Sequence, residues 1–421
     1  MRTRGHLALL SALLLAPLAL AACGAGLPRG MVFGTGCKAG PCPSTDSLEE
    51  PGLLTRLILI GDAGDPWPGT ELSGPAPVLE ALERWAWRRP ELTTVVFLGD
   101  NIYPEGLRPG VVADSLRLAR QIQVFAPRGG TTRPRAVFVP GNHDWYGSQN
   151  PATALAAIRR EAEMVRAAGE RMHFLPAGGC PGPDTLHLGN VRLIALDTQW
   201  WLYTALPPEL RVLEDECTRP TAGDPIIPTQ IFPFLAELGW HLFLAHDVDS
   251  VDAVVVSHHP LTAHGPHAQR KISERIREGI HALGISNSRD RQDLAAWTYR
   301  QMIEAIAANL RFPDRPFIYA AGHEHVLEVI DGRDSIPYGG TASNDTVPIA
   351  DYHLVSGNGS SRGHLSPILP RSPVPLFWSA GAQYRGFMVV DFLDDAHGRR
   401  VFLRVIHAAD PDRPAYHQQL R

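Results

Sequence analysis

The stretch that decides the fold is Thr93–Tyr103, which reads T-T-V-V-F-L-G-D-N-I-Y. Its opening residues are apolar or β-branched, a composition typical of a strand that is buried on both faces. Gly99 ends this strand, and Asp100, Asn101 and Tyr103 follow it. In open α/β sheets, ligands bind just beyond the carboxyl ends of the strands. The stretch therefore predicts a strand that delivers polar side chains to a functional site.

The same pattern, an apolar strand that ends in polar residues, recurs along the chain. G-D-A-G follows the first strand at 61–64, and later strands end in P-G-N-H-D at 140–144, S-H-H-P at 257–260 and A-G-H-E-H at 321–325. The predicted strands are Leu54–Ile60, Thr93–Leu98, Arg135–Val139, Val191–Leu196, Val251–Val256, Pro316–Ala320, Tyr352–Val355, Gly386–Phe392 and Val401–Val405. Apolar spacing predicts helices at Pro75–Arg88, Ala113–Phe125 and Thr153–Ala168. This alternation of strands and helices predicts an α/β fold.

Length and charge limit the class of protein. The chain has 421 residues, of which 44% are apolar, so it can bury a large core. Its formal net charge of −5 argues against a general surface for nucleic acid or anionic membrane. We therefore expect no nucleic acid among its partners.

The N-terminal residues predict export. Met1–Arg4 is basic, and Leu7–Leu20 is apolar but too short to span a bilayer comfortably. The segment ends in L-A-A before Cys23, which resembles the lipobox of bacterial lipoproteins. The resemblance implies a signal peptide over 1–22 and a lipid on Cys23 that ties the protein to the cell envelope. We expect the outer membrane or the periplasmic face rather than the cytoplasm. An ordinary signal peptide with an incidental cysteine is the alternative.

Residues 23–52 are rich in Gly, Pro and Ser and predict a flexible tether, so the folded domain is expected over 53–421. Four cysteines remain after Cys23, an even number that suits an oxidising compartment. Three pairings are possible, and the one with the shortest loops is Cys37–Cys42 with Cys180–Cys217. Buried free thiols are the alternative. The Pro-rich, aromatic stretch Trp200–Pro233 predicts a long covering loop.

The polar residues at the strand ends form a set of metal ligands. Carboxylate, phenol, amide and imidazole donors together suit iron, zinc or manganese better than calcium. The candidates exceed what a single tetrahedral zinc requires, and they fit two metals ~3.5–4 Å apart that share a bridging carboxylate. They are Asp62, Asp100, Tyr103, Asn142, His258, His323 and His325. Taken singly, an aspartate after a strand is more often a turn or a helix cap.

In order along the chain, the blocks GDAG, GDNIY, GNHD, VVSH and GHEH resemble those of the calcineurin-like metallophosphoesterases. They are most similar to the purple acid phosphatase branch, whose pattern is GDxG, GDxxY, GNH[DE], VxxH and GHxH. Most of the superfamily has a histidine two residues after the first aspartate, whereas this chain has Gly64 there and a tyrosine at 103. The resemblance implies a four-layer αββα sandwich of two mixed β-sheets flanked by helices.

Carried over position by position, the resemblance implies two metal sites. It assigns Asp62, Tyr103 and His325 to Fe(III), and it makes Asp100 the bridge. The second metal, a divalent Fe, Zn or Mn ion, takes its ligands from the remaining positions, which are Asn142, His258 and His323. His258 and His259 are adjacent, and the VxxH register selects His258.

The resemblance implies a hydrolase that acts on phosphate esters through a metal-bound hydroxide. His143 and His264 are the expected acids that protonate the leaving group. Phosphomonoesters are the expected substrates. A phosphodiesterase or nucleotide pyrophosphohydrolase on the same metals is one alternative, and a metal-stabilised surface binding protein without turnover is another. A helical insertion is expected around 265–311. It is either a solvated decoration or a lid that brings a basic residue such as His267, Arg270 or Lys271 over the substrate.

Overall fold

The computed structural model describes residues 30–34, 51–67, 72–145, 151–177, 180–204, 228–265, 267, 297–310, 315–333, 336–337, 346–360 and 374–421. The predicted signal peptide, Cys23, Cys37, Cys42 and Cys217 lie outside these residues, as do Arg270, Lys271 and the other insertion residues from 268 to 296. Export, lipidation and the domain boundaries therefore stay predictions. Cys180 is disulfide-bonded, and its pairing with Cys217 stays a prediction because its partner lies outside the described residues.

One mixed sheet has the strand order β17-β16-β15-β2-β3-β4-β5. Strands β2 to β5 run parallel, and β15, β16 and β17 pair antiparallel on one side of them. The bounds are β2 Leu53–Ile60, β3 Thr93–Leu98, β4 Arg135–Val139, β5 Met172–Phe174, β15 Gly386–Asp395, β16 Gly398–His407 and β17 Tyr416–Gln419.

The other mixed sheet has the order β1-β14-β10-β13-β9-β8-β7-β6. Strands β7, β8, β9 and β13 run parallel in its centre. The bounds are β1 Gly30–Phe33, β6 Asp184–Leu188, β7 Val191–Ala195, β8 Asp252–Val256, β9 Ile318–Ala321, β10 Val326–Asp331, β13 Tyr352–Ser356 and β14 Phe377–Gly381. A separate hairpin pairs β11 Ile336–Pro337 with β12 Thr346–Val347.

Helices flank the two sheets. In the described residues they are α1 Pro77–Ala86, α2 Val112–Gln123, α3 Pro151–Ala167, α4 Thr198–Thr204, α5 Pro228–Phe243 and α6 Trp297–Leu310. A π-helical turn, Leu244–Val248, continues α5. Within the described ranges, every helix is too short or too polar to cross a bilayer.

Two apolar layers hold the sandwich together, because the parallel strands are buried on both faces. Leu57, Val137 and Val254 belong to the layer between the sheets, whereas Ile58 and Phe138 belong to the layer under the helices. Neighbouring strand residues thus alternate between the two layers, as the two-residue period of a strand requires. This arrangement confirms the predicted αββα sandwich.

The structure differs from the sequence prediction at Trp200–Pro233. Where the sequence predicts a covering loop, α4 and the start of α5 are helical, so that part of the prediction was wrong. Pro228 is the first residue of α5, a position where its missing N–H costs no hydrogen bond. Residues 205–227 lie outside the described residues. Within the predicted tether, β1 pairs with β14 and forms the edge of its sheet, so this part of the tether is a strand.

Candidate metal centre

The carboxyl ends of the parallel strands from both sheets meet at one end of the sandwich. A Cβ atom on Gly61, after β2, would lie only 2.9 Å from the Cα of Gly322, after β9. The Gly61 N–H donates a hydrogen bond to the carbonyl oxygen of Ser356 at the end of β13. The predicted ligands are thereby collected from distant parts of the chain.

Three of the predicted ligands have left-handed backbone conformations, which non-glycine residues rarely adopt. Their φ angles are 59° at Asp62, 55° at Asp100 and 66° at His323. Such strain costs on the order of 1–3 kcal/mol per residue and persists where the surroundings enforce it, often at functional sites. In this protein, the left-handed conformation directs each of the three side chains towards the place where the strand ends meet.

One group of ligands gathers around the hydroxyl of Tyr103. This hydroxyl lies 3.0 Å from Asp62 Oδ1, 3.0 Å from Asp100 Oδ2 and 3.2 Å from His325 Nε2. His325 Nε2 also lies 3.3 Å from Asp62 Oδ1. All four residues are buried. These are the three residues assigned to the ferric site and the predicted bridge.

A second group gathers around the amide oxygen of Asn142. Asn142 Oδ1 lies 2.9 Å from His258 Nε2 and 3.1 Å from His323 Nδ1. The two histidine nitrogens are 3.3 Å apart. His258 Nε2 also lies 3.4 Å from Asp100 Oδ1. Asp100 therefore presents one carboxylate oxygen to each group, an arrangement that suits a bridging ligand.

Glycines create the space for this convergence. A side chain at Gly99 would place its Cβ 2.6 Å from His258 Nδ1. At Gly64, a Cβ would lie 2.6 Å from the backbone oxygen of Asp100, so this position has no room for a side chain.

Hydrogen bonds to groups that are not ligands fix several of these side chains. The Leu98 carbonyl holds His258 Nδ1 at 2.8 Å, which leaves Nε2 facing the site. The His323 N–H donates to Asp62 Oδ2 at 2.8 Å, and the His143 N–H donates to Asp100 Oδ1 at 2.8 Å. This is the outer support that metal ligands ordinarily have.

The charges of the site call for added cations. Burial alone would raise the pKa of Asp100, but His258, His143 and the hydrogen bonds from His143 and Tyr103 lower it overall. Burial, Asp100 and Asp62 raise the pKa of Tyr103 well above its ordinary value. Among the described residues, the ion-pair partners of Asp62 and Asp100 are histidines, with no lysine or arginine. Two buried carboxylates and a phenol without a cationic side chain therefore fit a metal pair.

His259 lies nearer to the site than the sequence suggests. One possible metal-binding group joins His258, His259 and His323, and another joins Asp62, Asp100 and His258. His259 Nδ1 lies 2.8 Å from Thr198 Oγ1, and its ring centroid is 4.6 Å from that of His323. Because His258 belongs to both groups, the VxxH choice of His258 remains our assignment.

The predicted acids have different surroundings. His143 Nδ1 bonds the Pro104 carbonyl oxygen, its Nε2 lies 3.9 Å from Asp100 Oδ2, and its side chain is 35% exposed. His143 is thus next to the site and accessible. His264 contacts Glu328 through Nδ1, and its carbonyl oxygen accepts a hydrogen bond from Trp378. His267, named in the sequence only as a possible lid residue, stacks on His323 with ring centroids 4.6 Å apart.

A buried network behind the ligand loops was not predicted. Asp144 accepts hydrogen bonds from the N–H groups of Gly141, Asn101 and Ile102, and so joins two ligand loops. The Asn101 amide also donates to Glu161 on α3. Burial raises the pKa of both carboxyls, with Asp100 adding to the shift of Asp144 and Asp144 to that of Glu161. In the sequence, Glu161 looks like any polar residue of an amphipathic helix. Its part in this hydrogen-bond network is visible only from its burial in the structure.

Comparison with known proteins gives little beyond the structure itself. No protein-family model matches the chain, and no curated protein matches it. Among solved structures, the chain is similar to the calcineurin-like phosphoesterase YfkN from Bacillus subtilis. The similarity has 11% sequence identity and a TM-score of 0.32, and it covers 88% of this chain and 92% of that chain. The functional proposal therefore rests on the geometry of the site.

Proposed function

We propose that this chain is a binuclear metal-dependent phosphoesterase that hydrolyses phosphomonoesters. The observation that carries the proposal is the position of Asp100, whose two carboxylate oxygens face two separate groups of predicted ligands. A shared carboxylate between two ligand groups is the arrangement that two-metal hydrolases use. The expected acid phosphatase-like activity and the phosphate ester substrate follow from this proposal.

The ligand chemistry suggests which ions bind. A phenolate is a hard anionic donor that stabilises a trivalent ion, so we infer Fe(III) beside Asp62, Tyr103 and His325. The second site, formed by Asn142, His258 and His323, suits a divalent Fe, Zn or Mn ion. When bound, such a pair lowers the pKa of water and neutralises phosphate charge.

The chain's own residues then have to bind the ester and deliver a proton to the leaving oxygen. The geometry favours His143, since the Pro104 carbonyl fixes Nδ1 and Nε2 remains beside Asp100. His264 stays a proposed acid from the sequence. We add His267, because its ring stacks on the predicted ligand His323. In either case, a protonated imidazole would transfer its proton to the alcohol oxygen as the P–O bond breaks.

The proposal is tested with purified protein by elemental analysis, a visible spectrum and a substrate panel. We expect two metals per chain, an absorption band from phenolate on ferric iron, and a higher kcat/KM for p-nitrophenyl phosphate than for bis-p-nitrophenyl phosphate. A preference for the diester would overturn the monoester assignment. Metal-loaded protein without turnover on any phosphoester would favour the binding protein instead.

The location of the protein is a separate proposal, supported by the apolar N-terminal run and its Leu20-Ala21-Ala22-Cys23 ending. We propose export and lipid anchoring to the bacterial cell envelope through Cys23. Cell fractionation tests it: the intact protein should sediment with membranes as the processed form, and Cys23→Ala should abolish this lipidated, processed form. Cys23→Ala protein that is still processed and still sediments with membranes would contradict lipidation at Cys23.

A further inference from the structure

Two buried glutamates hold the loop that follows the ligand His258. We call this the histidine loop, residues 260–265 and 267, because it carries His264 and His267. The glutamates are Glu324, between the ligands His323 and His325, and Glu328 on β10. Both are completely buried. A buried carboxylate is costly unless its oxygens accept hydrogen bonds, so the bonds that these two accept are informative.

Glu328 holds His264 at two points. Its Oε2 accepts a hydrogen bond from the His264 N–H at 2.9 Å, and its Oε1 bonds His264 Nδ1. The Trp378 indole N–H donates to the His264 carbonyl oxygen at 3.3 Å. The backbone on both sides of His264 and its ring are therefore fixed by neighbours on β10 and β14. Nδ1 of His264 is thus the ring atom that Glu328 engages.

Glu324 holds His267 in a comparable way. Its Oε2 accepts a hydrogen bond from the His267 N–H at 2.9 Å. The ring of His267 then stacks on the ligand His323 with an interplanar angle of 28°. A Cβ on Gly265 would collide with Glu324 Oε2, so the loop comes close to this carboxylate only because residue 265 is glycine. The turn at 323–325 thus contributes two predicted metal ligands, His323 and His325, and anchors the histidine loop through Glu324.

From these contacts we propose that Glu324 and Glu328 are positioning residues, a carboxylate pair that fixes the histidine loop through His264 and holds His267 against the predicted ligand His323. The pair sets the geometry for protonation of the leaving group rather than the affinity for metal. This inference rests on the proposed phosphoesterase function, and it adds residues that the motif pattern does not specify. Position 324 is the unspecified residue of the GHxH block.

The experiment uses Glu324→Gln and Glu328→Gln in the full-length, metal-loaded protein. A series of phosphomonoesters with leaving groups from p-nitrophenol to simple alcohols is measured for kcat and KM. Protonation matters most for poor leaving groups, so kcat for alkyl phosphates should fall about 10–100-fold. For p-nitrophenyl phosphate the change should stay within about threefold, and metal content should be unchanged. Glu91→Gln is the matched control, since Glu91 pairs with Arg89 at the surface.

A double-mutant cycle separates positioning from general structural support. If Glu324 acts through His267, Glu324→Gln should have little further effect in a His267→Ala background. Gly265→Ala is a second variant that keeps both carboxylates and forces the loop and the Glu324 side chain apart. It should reproduce the selective loss on alkyl phosphates.

Three outcomes would overturn the proposal: equal losses on all substrates together with metal loss, additive effects in the cycle, or unchanged alkyl phosphate hydrolysis in every variant. Failure of the phosphoesterase function itself looks different. In that case the wild-type protein lacks turnover on the whole series, whatever residues stand at 324 and 328.

Discussion

Two clusters of buried acidic side chains in this protein differ in the groups that offset the desolvation of their charges. At the metal centre, Asp62, Asp100 and Tyr103 lie together with histidines. Under α1, Asp391 lies between Arg56 and Arg404, with side-chain exposures of 4%, 3% and 0%. Arg56 Nε donates to Asp391 Oδ1 at 2.6 Å, and Arg404 donates to Oδ2. Both clusters are buried, yet only the second contains its own strong cations.

This difference in charge partners distinguishes a cluster with a structural role from one with a proposed functional role. The arginines lower the pKa of Asp391 even though burial alone would raise it, so this carboxylate stays ionised without any ligand. It joins adjacent strands β2, β15 and β16 and acts as a structural ion triad. Among the described residues, the ion-pair partners of Asp62 and Asp100 are histidines. Under the proposed function, bound cations would balance these acids.

Asp100→Asn should give the largest effect, because it removes the charge that bridges the two ligand groups. We expect phosphoesterase kcat to fall by about 10³-fold and metal content to fall with it. Activity assays and elemental analysis of the same preparation measure both. Asp391→Asn is the control, because its folded fraction should keep its metal. Full activity in Asp100→Asn would contradict the proposal that Asp100 bridges two metals.

Asp391→Asn should instead affect stability. It leaves two buried arginines with an uncharged partner, and breaking a buried ion pair costs about 3–5 kcal/mol. Urea unfolding followed by circular dichroism would measure this loss in the free energy of unfolding. A loss below about 1 kcal/mol would show that the triad is not the structural element we infer.

Removing the metals should also destabilise the protein, by a smaller amount. A ligand present at 100 times its Kd stabilises the folded state by about 2.7 kcal/mol. Dialysis against a chelator should therefore lower the unfolding temperature of the wild-type protein and leave that of Asp100→Asn nearly unchanged. Equal shifts in both proteins would mean that the chelator acts elsewhere.

Asp197 is a buried acid of a third kind, because the partners described for its carboxyl group are indole and backbone N–H groups rather than arginines or a predicted metal. Burial raises its pKa to about 7, while Trp145 and Trp200 donate hydrogen bonds to it. Between about pH 4 and 7 the folded state holds a proton that the unfolded state loses, so stability falls as pH rises, by at most about 1.4 kcal/mol per pH unit. Asp197→Asn should flatten this slope in urea unfolding curves from pH 4.5 to 7. An unchanged slope would contradict a protonated Asp197.

The strands that carry the predicted ligands could be predicted because their sequences are mainly apolar and most are followed by glycine or Pro-Gly, with β8 followed by Ser257. The sequence placed β4 at Arg135–Val139, as the structure has it, and β3 at Thr93–Leu98. Strands β10 and β14 were missed, and both hold residues that sequence patterns treat as surface polar or small. Glu328 is the example: a glutamate inside a strand indicates solvent, yet here it is buried against His264.

The site was predicted from motifs, but its geometry was not. Nothing in the spacing of His264 and His267 reveals that one bonds Glu328 and the other stacks on His323. Likewise, Glu161 looks like any polar residue of an amphipathic helix until α3 packs over Asn101. These contacts join residues far apart in the chain, and local patterns carry no information about them.

The sequence by itself determined the alternation of strands and helices and the donor types at the strand ends, because periodicity and ligand chemistry are local properties of the chain. Only the tertiary structure decided which donors face one another and which buried acids have arginine partners. Those outcomes depend on distances of a few ångströms between segments that only the packing of two sheets brings together.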